Sequence, residues 1–240
     1  MIKAIWIDID NTLLDFDAYV KQTMQTGFAK FGLRAYTPDM YLVFTEENNA
    51  LWHQIEQKQL TFPKLEKIRW NRVFARLGIS FDGTVFERYF RACLYDSAIL
   101  EAGAAEMLAA LQGKYLLCVA SNGPYEQQLH RLEIAGIKPY FDGFFISEKI
   151  GASKPAHEFF DAAFAAQNAG RSLPISPAET LILGDSLTSD IAGGKAYGMQ
   201  TCYYLRGRKP STPQTADFTV EHLSDFPALP KNLSKEEKRK

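Results

Sequence analysis

Residues 3–12 read KAIWIDIDNT, and this stretch decides the fold class. The segment Lys3–Ile9 is a short run rich in isoleucine, without the regular polar alternation of a strand that has one face in water. Such a run is typical of a strand buried on both faces of a parallel sheet. The polar residues within Asp8–Thr12 mark the end of this strand, so two acids and a threonine lie at its carboxyl end.

Later segments share this strand-like character: Tyr115–Ala120, Phe144–Ile146, Thr180–Leu183 and Thr201–Leu205. Helical stretches lie between most of them, at Glu101–Gln112, Tyr125–Ala135 and His157–Asn168. Strands that alternate with helices indicate βαβ units. The sequence therefore predicts an α/β protein whose core is a doubly wound, Rossmann-like parallel sheet.

Residues 16–97 interrupt this alternation, because they contain few strand-like runs and many apolar pairs at helical spacing, such as Leu51 and Ile55. We predict an inserted α-helical cap domain over 16–97 and a discontinuous catalytic core over 1–15 and 98–230. An insert placed after the first strand emerges at the carboxyl end of the strands, where open α/β sheets bind ligands. The charged residues 231–240 are predicted to form a flexible tail.

Composition excludes several classes of partner. The 240 residues include 27 lysines and arginines against 28 acids, which gives a net charge of -1. A nucleic-acid polymer is not an expected partner, since its binders usually carry a basic excess. Membrane insertion is not expected either, because no apolar run reaches the ~18 residues of a span. The three cysteines, without metal-site spacing, argue against a disulfide scaffold and structural zinc, and we expect a cytoplasmic protein.

Four polar clusters follow the predicted strands: Asp8–Thr12, Ser121–Gly123, Lys154–Pro155 and Gly184–Asp190. Each has an ordinary alternative when taken alone, namely a polar strand end, a turn, a solvated lysine or a helix N-cap at Asp190. Parallel strands, however, bring their carboxyl ends to one edge of the sheet. Carboxylates, a hydroxyl and a lysine at that edge suit Mg²⁺ and a substrate phosphate, and an aspartate can attack phosphorus.

In this order the clusters resemble the four motifs of the haloacid dehalogenase-like superfamily: Asp8-x-Asp10-x-Thr12, Ser121, Lys154-Pro155 and Gly184-Asp185-x-x-x-x-Asp190. The resemblance covers the whole α/β part of the chain. It implies that Asp8 is the nucleophile, that Asp10 is the general acid/base and that Lys154 completes the catalytic set.

The same resemblance implies ligands for a metal and for phosphate. Mg²⁺ would bind Asp8, Asp185 and the backbone carbonyl of Asp10, with Asp190 behind them orienting metal-bound water or the lysine. The phosphate ligands would be Thr12, Ser121, Asn122 and Lys154. A phosphatase needs the second acid to protonate its leaving oxygen, whereas dehalogenases of this superfamily generally lack it. The presence of Asp10 therefore favours phosphate ester hydrolysis over dehalogenation.

The insert resembles the helical cap of one subclass, and two segments, residues 13–17 (LLDFD) and 48–52 (NNALW), are similar to a branch of pyrimidine 5'-nucleotidases. Thr61, Arg69 and the stretch following Asp185 share this similarity. This chain departs from that branch at three positions. Lys58 stands where the branch usually has glycine, Asn11 where it commonly has an acid, and Trp70 where it has phenylalanine.

Phe16, Asn48 and Trp52 are the candidate contacts to the leaving group, because a base needs a flat apolar partner and a few hydrogen bonds. The alternative for Trp52 is packing within the cap. For the basic group Arg206, Arg208 and Lys209 the default is a solvated loop, and the alternative is attraction of an anionic substrate.

Together these features predict a Mg²⁺-dependent phosphomonoesterase that works through an aspartyl-phosphate. Its expected substrates are pyrimidine nucleoside monophosphates such as UMP, dUMP, dTMP or analogues. One alternative is a phosphatase for a sugar phosphate or phosphoglycolate, and another is a catalytically silent phosphate-binding protein. The expected partner is this small phosphate ester, and the expected assembly is a monomer or homodimer.

Overall fold

The computed structural model describes residues 1–208 and 215–230. The predicted tail at 231–240 and Lys209 of the predicted basic group lie outside this part of the chain. The chain divides into two compact units, Met1–Asp15 with Ala98–Lys240 and Phe16–Ser97. Within the described residues, no helix combines the length and the apolar character that crossing a membrane requires.

The first unit is built on a parallel sheet whose strands are β1 (Ala4–Ile7), β2 (Leu116–Ser121), β3 (Gly143–Ile146), β4 (Thr180–Gly184), β5 (Gln200–Tyr204) and β6 (Phe218–Val220). Their order is β3-β2-β1-β4-β5-β6, and every neighbouring pair is parallel. The predicted doubly wound fold is confirmed. The sequence prediction omitted β6, because three residues at the sheet edge leave too little apolar pattern to detect.

Helices cover both faces of this sheet: α5 (Ala104–Leu111), α6 (Tyr125–Ile134), α7 (Ser147–Ile150), α8 (His157–Asn168) and α9 (Gly193–Ala196). On one face Trp6 packs against Phe145 and Phe164, and its indole N–H donates to Gln167 at 2.6 Å. Helix α5 begins three residues later than predicted, because Gly103 turns the chain at φ 82° before it. This leaves Glu101 outside the helix.

The second unit contains four helices: α1 (Phe16–Lys30), α2 (Pro38–Glu56), α3 (Phe62–Leu77) and α4 (Gly83–Tyr95). Its centre is aromatic, with the rings of Phe44, Phe86 and Phe90 in contact with Trp70. Because so much apolar area is buried, the unit has a core of its own.

The turn after α2 explains one departure from the nucleotidase branch. Lys58 has φ 59°, a left-handed conformation that glycine adopts most easily. Lys58 is therefore held in a backbone conformation that is typical of glycine. The surrounding chain keeps the turn closed through the amide of Gln59, which donates to Gln54 O at 2.8 Å.

Candidate active site

The carboxyl ends of β1 and β4 bring two predicted acids together. Ile7, the last residue of β1, pairs with Leu183 of β4. Asp8 directly follows β1, and Asp185 directly follows Gly184, the last residue of β4. The amide of Asp8 donates to the carbonyl of Leu183 at 3.0 Å, which continues the ladder by one bond past the strand. The two side chains therefore leave the sheet side by side at the edge where its order reverses.

Lys154 lies at the centre of this edge. Its ammonium donates to Asp8 Oδ1 at 2.8 Å, to Asp190 Oδ1 at 2.5 Å and to the carbonyl of Ala120 at 2.5 Å. The three N–H groups of the ammonium thus have three acceptor oxygens, and the Lys154 side chain is only 1% exposed. Burial lowers the pKa of Lys154, but the carboxylates of Asp190 and Asp8 outweigh burial and hold the pKa above its ordinary value. The lysine is a fixed positive charge beside the predicted nucleophile.

Asp190 is positioned by its own loop and by a glycine. Its Oδ2 accepts from the amide of Ser186 at 3.1 Å, while Oδ1 receives Lys154. A Cβ at Gly184 would overlap this carboxylate, so the close approach requires glycine there. The N-cap of the helical turn Leu187–Ala192 is Ser186, whose side chain accepts from Ser189. Asp190 is therefore inside the turn and its helix-cap alternative is wrong.

Three carboxylates crowd this edge. Asp8, Asp185 and Asp190 each offer an oxygen, and these atoms lie within 4.8 Å of one another. Burial raises the pKa of Asp8 to about 7, although Lys154 opposes the shift. Burial also raises the pKa of Asp185 well above its usual range, with added repulsion from Asp8 and Asp190. Clustered oxygen donors that resist ionisation together fit a hard divalent cation, which would relieve that repulsion.

Asp10 lies two residues beyond the predicted nucleophile and faces a different set of partners. Its Oδ1 accepts from Arg131 Nη1 at 2.7 Å, and its Oδ2 accepts from Gln128 Nε2 at 2.9 Å. Both partners belong to α6. Sequence reasoning missed them, because polar residues three positions apart on a helix are also typical of a solvated helix face.

The predicted phosphate ligands are in three different situations. Ser121 Oγ ends β2 and lies 3.2 Å from Gln128 Nε2. Asn122 uses its side chain to bind the backbone of Lys154, with Nδ2 donating to the carbonyl at 2.9 Å and Oδ1 accepting from the amide at 2.8 Å. Thr12 Oγ1 is buried and has no hydrogen-bond partner among the described residues. Asn122 therefore holds the backbone of Lys154, Thr12 keeps a polar atom without a partner among the described residues, and contact of either residue with phosphate stays a prediction.

The three candidate cap residues make contacts inside the second unit. Phe16 packs against Tyr19 and Phe90. Asn48 Oδ1 accepts from Arg69 Nη1 at 3.0 Å. The ring of Trp52 lies on that of Phe62, as its packing alternative expected. Contact of these residues with a substrate stays a prediction.

The predicted solvated loop is wrong for Arg206, one residue of the basic group. Its guanidinium is 9% exposed and pairs with Glu101 Oε1 at 2.5 Å and Asp15 Oδ1 at 2.9 Å. Asp15 and Glu101 lie on the two chain segments that border the insert. An antiparallel β-bridge between Leu14 and Leu100 joins these two segments. Arg206 therefore connects both segments, whereas Arg208 is exposed.

Comparison with known proteins agrees with this geometry. A family model described as haloacid dehalogenase-like hydrolase matches residues 2–198. The chain is 32% identical to pyrimidine 5'-nucleotidase PynA of Streptococcus pneumoniae, with 96% of each chain covered. It is 30% identical to pyrimidine 5'-nucleotidase YjjG of Escherichia coli, over 94% of this chain and 96% of the other. Further relatives are named as phosphatases of glyceraldehyde 3-phosphate and 6-phosphogluconate.

A solved structure supports the same assignment. The putative HAD-hydrolase YfnB of Bacillus subtilis, described as bound to magnesium, is similar to this chain at a TM-score of 0.83 and 28% identity. The similarity covers 95% of this chain and 98% of that one.

Proposed function

The chain belongs to the haloacid dehalogenase-like hydrolase family, and from this premise we propose that it is a Mg²⁺-dependent 5'-nucleotidase for pyrimidine nucleoside monophosphates. The chain is a phosphoric monoester hydrolase, since relatives with phosphatase and nucleotidase names match nearly its whole length. The observation that carries the proposal is the contact between Asp8 and Lys154 at 2.8 Å, with Asp10 two residues away.

The nucleophilic step belongs to Asp8. Its carboxylate attacks phosphorus in line, and the P–O bond to the nucleoside breaks as the aspartyl-phosphate forms. Lys154 faces the attacking carboxylate and balances negative charge there, and Ser121 donates to a phosphoryl oxygen. Preorganised charges of this kind act strongly because the site is buried and needs no reorganisation.

Proton transfer belongs to Asp10. In the first step its carboxyl group gives a proton to the departing 5'-oxygen, and in the second it takes a proton from the water that attacks the aspartyl-phosphate. Water then releases inorganic phosphate and restores Asp8 as a carboxylate. One group serves both steps because the first leaves it in the form that the second needs.

Asp8, Asp185 and the backbone carbonyl of Asp10 would hold Mg²⁺, which neutralises charge on the phosphoryl oxygens when bound. The crowded carboxylates support this assignment, because Lys154 pairs with Asp8 and Asp190, while burial and repulsion from both acids raise the pKa of Asp185, the third acid of the cluster.

Two relatives named as pyrimidine 5'-nucleotidases support the nucleotide as substrate. Within the second unit, Phe16, Asn48 and Trp52 are the residues proposed to contact the nucleoside. A sugar phosphate is the second candidate substrate, since two relatives are named for such esters.

Phosphate release from UMP, dTMP, AMP, phosphoglycolate and sugar phosphates tests the proposal, with saturating Mg²⁺ and again with EDTA. We expect UMP and dTMP to lead in kcat/KM, EDTA to abolish release, and Asp8→Asn to be inactive with its fold intact. The exposed Asp225→Asn is the matched control and should retain full activity. If a sugar phosphate leads, the nucleotidase assignment is wrong, and if Asp8→Asn keeps more than a few per cent of activity, Asp8 is not the nucleophile.

A further inference from the structure

We propose that Arg131 and Gln128 form a positioning pair that holds the carboxylate of Asp10 for proton transfer. This inference rests on the proposed function, in which Asp10 serves as general acid and base. The two residues lie three positions apart on α6 and so share one helix face.

The pair contacts both oxygens of one carboxylate. Arg131 Nη1 donates to Asp10 Oδ1 at 2.7 Å, and Gln128 Nε2 donates to Oδ2 at 2.9 Å. Two donors at two oxygens fix the rotation of the carboxylate plane as well as its position. A single ion pair would leave that plane free to turn.

The orientation of the glutamine amide is itself set by the arginine. Gln128 Oε1 accepts from Arg131 Nη1 at 2.9 Å, so the amide nitrogen must face the other way, toward Asp10. The same nitrogen lies 3.2 Å from Ser121 Oγ. One helix face therefore sets the spacing between the proton-transfer group and a proposed phosphate ligand.

Burial separates this arrangement from a surface ion pair. The side chain of Arg131 is 1% exposed, while that of Asp10 is 31% exposed. Burying a guanidinium is costly unless its partners are well placed, so the arginine is held in one geometry by its surroundings. The exposed edge of Asp10 remains open to substrate and water. A rigid support behind a partly open acid is the arrangement that proton transfer requires.

The pair orients Asp10 but does not replace it. Arginine keeps its proton in proteins, and a glutamine amide neither gives nor takes one at neutral pH. Displacement of a reacting group by about 1 Å can cost on the order of 10²-fold in rate. We therefore expect loss of the pair to lower kcat and to leave KM nearly unchanged.

The test measures kcat and KM for UMP in Arg131→Met, Arg131→Lys and Gln128→Met, each with and without Asp10→Asn. Arg131→Met should lower kcat by about 10- to 100-fold with KM within about twofold, a loss that does not exceed the roughly 10²- to 10⁴-fold that general acid–base catalysis supplies. Arg131→Lys should recover part of it, because it restores a donor and a charge. In the Asp10→Asn background, Arg131→Met should cause no further loss, since coupled residues are not additive. Exposed Arg171→Met is the matched control and should retain wild-type kcat.

A leaving-group comparison supplies a readout that a merely structural role would not move. Single-turnover release of nucleoside from UMP needs a proton, whereas release of p-nitrophenolate from p-nitrophenyl phosphate does not. Arg131→Met should therefore slow the first reaction at least several-fold more than the second. Equal slowing of both would overturn the inference.

Other outcomes also decide. If the losses in kcat of Arg131→Met and Asp10→Asn multiply in the double variant, the two residues act independently and the inference is overturned. A rise in KM alone in Arg131→Met would overturn it as well. If Arg131→Met does not fold, Gln128→Met carries the same test, because it removes one donor and no charge. If Asp10→Asn by itself costs no activity, the proposed function fails instead, so the two failures are distinguishable.

Discussion

Replacing Lys154 by methionine should destabilise the first unit, strongly at pH 8 and weakly at pH 5.5. The substitution keeps a long unbranched side chain and removes the ammonium. It leaves Asp8 and Asp190, whose oxygens lie 2.8 and 2.5 Å from that ammonium, without their shared cation. Asp190 is then a carboxylate that is 1% exposed beside two others.

The magnitude follows from the burial of the cluster. Removing one partner of a buried ion pair typically costs about 3–5 kcal/mol, because the remaining charge stays out of water. Protonation of a carboxyl limits this cost. Neutralising an acid of unfolded pKa ~3.9 costs roughly 6 kcal/mol at pH 8 but only about 2 kcal/mol at pH 5.5. We therefore expect a loss of about 3–5 kcal/mol at pH 8 and about 2 kcal/mol or less at pH 5.5.

The sign agrees with the wild-type site. Burial raises the pKa of Asp8 to about 7, above its unfolded value, so the fold favours the protonated form. The contribution of Asp8 to stability is therefore complete at low pH and is lost as the pH rises through about 7. Without Lys154 the pKa of Asp8 rises further, which places the largest loss at alkaline pH.

Urea unfolding at both pH values, followed by hydrogen exchange in β1 and β4, measures this loss for the first unit alone. Lys149→Met is the matched control, because Lys149 is exposed and its ammonium contacts only Tyr125 among the described residues, so stability should change by less than about 1 kcal/mol at both pH values. A second replacement, Asp190→Asn, should return part of the stability lost at pH 8. Equal losses at both pH values, or a loss below about 1 kcal/mol at pH 8, would refute the buried-charge argument.

Two further predictions concern charge at this end of the sheet. Arg206→Met should lower the unfolding free energy by roughly 3 kcal/mol at pH 8 and by less at pH 5. The loss is smaller at pH 5 because burial already raises the pKa of Glu101, and protonation relieves the unpaired acid. Chemical denaturation measures the loss, with exposed Arg208→Met as the control, and an equal loss in both variants would contradict the prediction. Mg²⁺ at 100 times its Kd should stabilise the wild type by about 2.7 kcal/mol, and the gain should fall below pH 7 because Asp8 must ionise to bind metal. Thermal unfolding with Mg²⁺ or EDTA measures that gain, which Asp185→Asn should abolish; a gain independent of pH would count against Asp8 as a ligand.

Much of the active site was readable in advance because its residues are local to strand ends. The motif of Asp8, Asp10 and Thr12 occupies five consecutive positions, and the apolar runs before each motif identify the strands. Once the sheet is parallel, those ends must meet at one edge. The contact between Asp8 and Lys154 spans 146 residues and needs more than this rule, because the helix α7 separates Lys154 from the end of β3.

Other residues carried no such signal. Arg131 is 121 positions from Asp10, and its helical spacing resembles that of any solvated arginine. Arg206 is 191 positions from Asp15, and the sequence around it predicts a solvated loop. Burial of a charged side chain depends on what packs over it, and a pattern along the chain does not contain that information.

The amino-acid sequence by itself determined the parallel sheet, the order of its chemical motifs and the helical character of residues 16–97. These follow from hydrophobic period and strand-end chemistry, which are properties of neighbouring residues. Tertiary structure alone decided which donors hold Asp10, which acids share Lys154 and which segments Arg206 joins. Those are hydrogen bonds and ion pairs between distant residues, and they exist only after the sheet and its helices have packed.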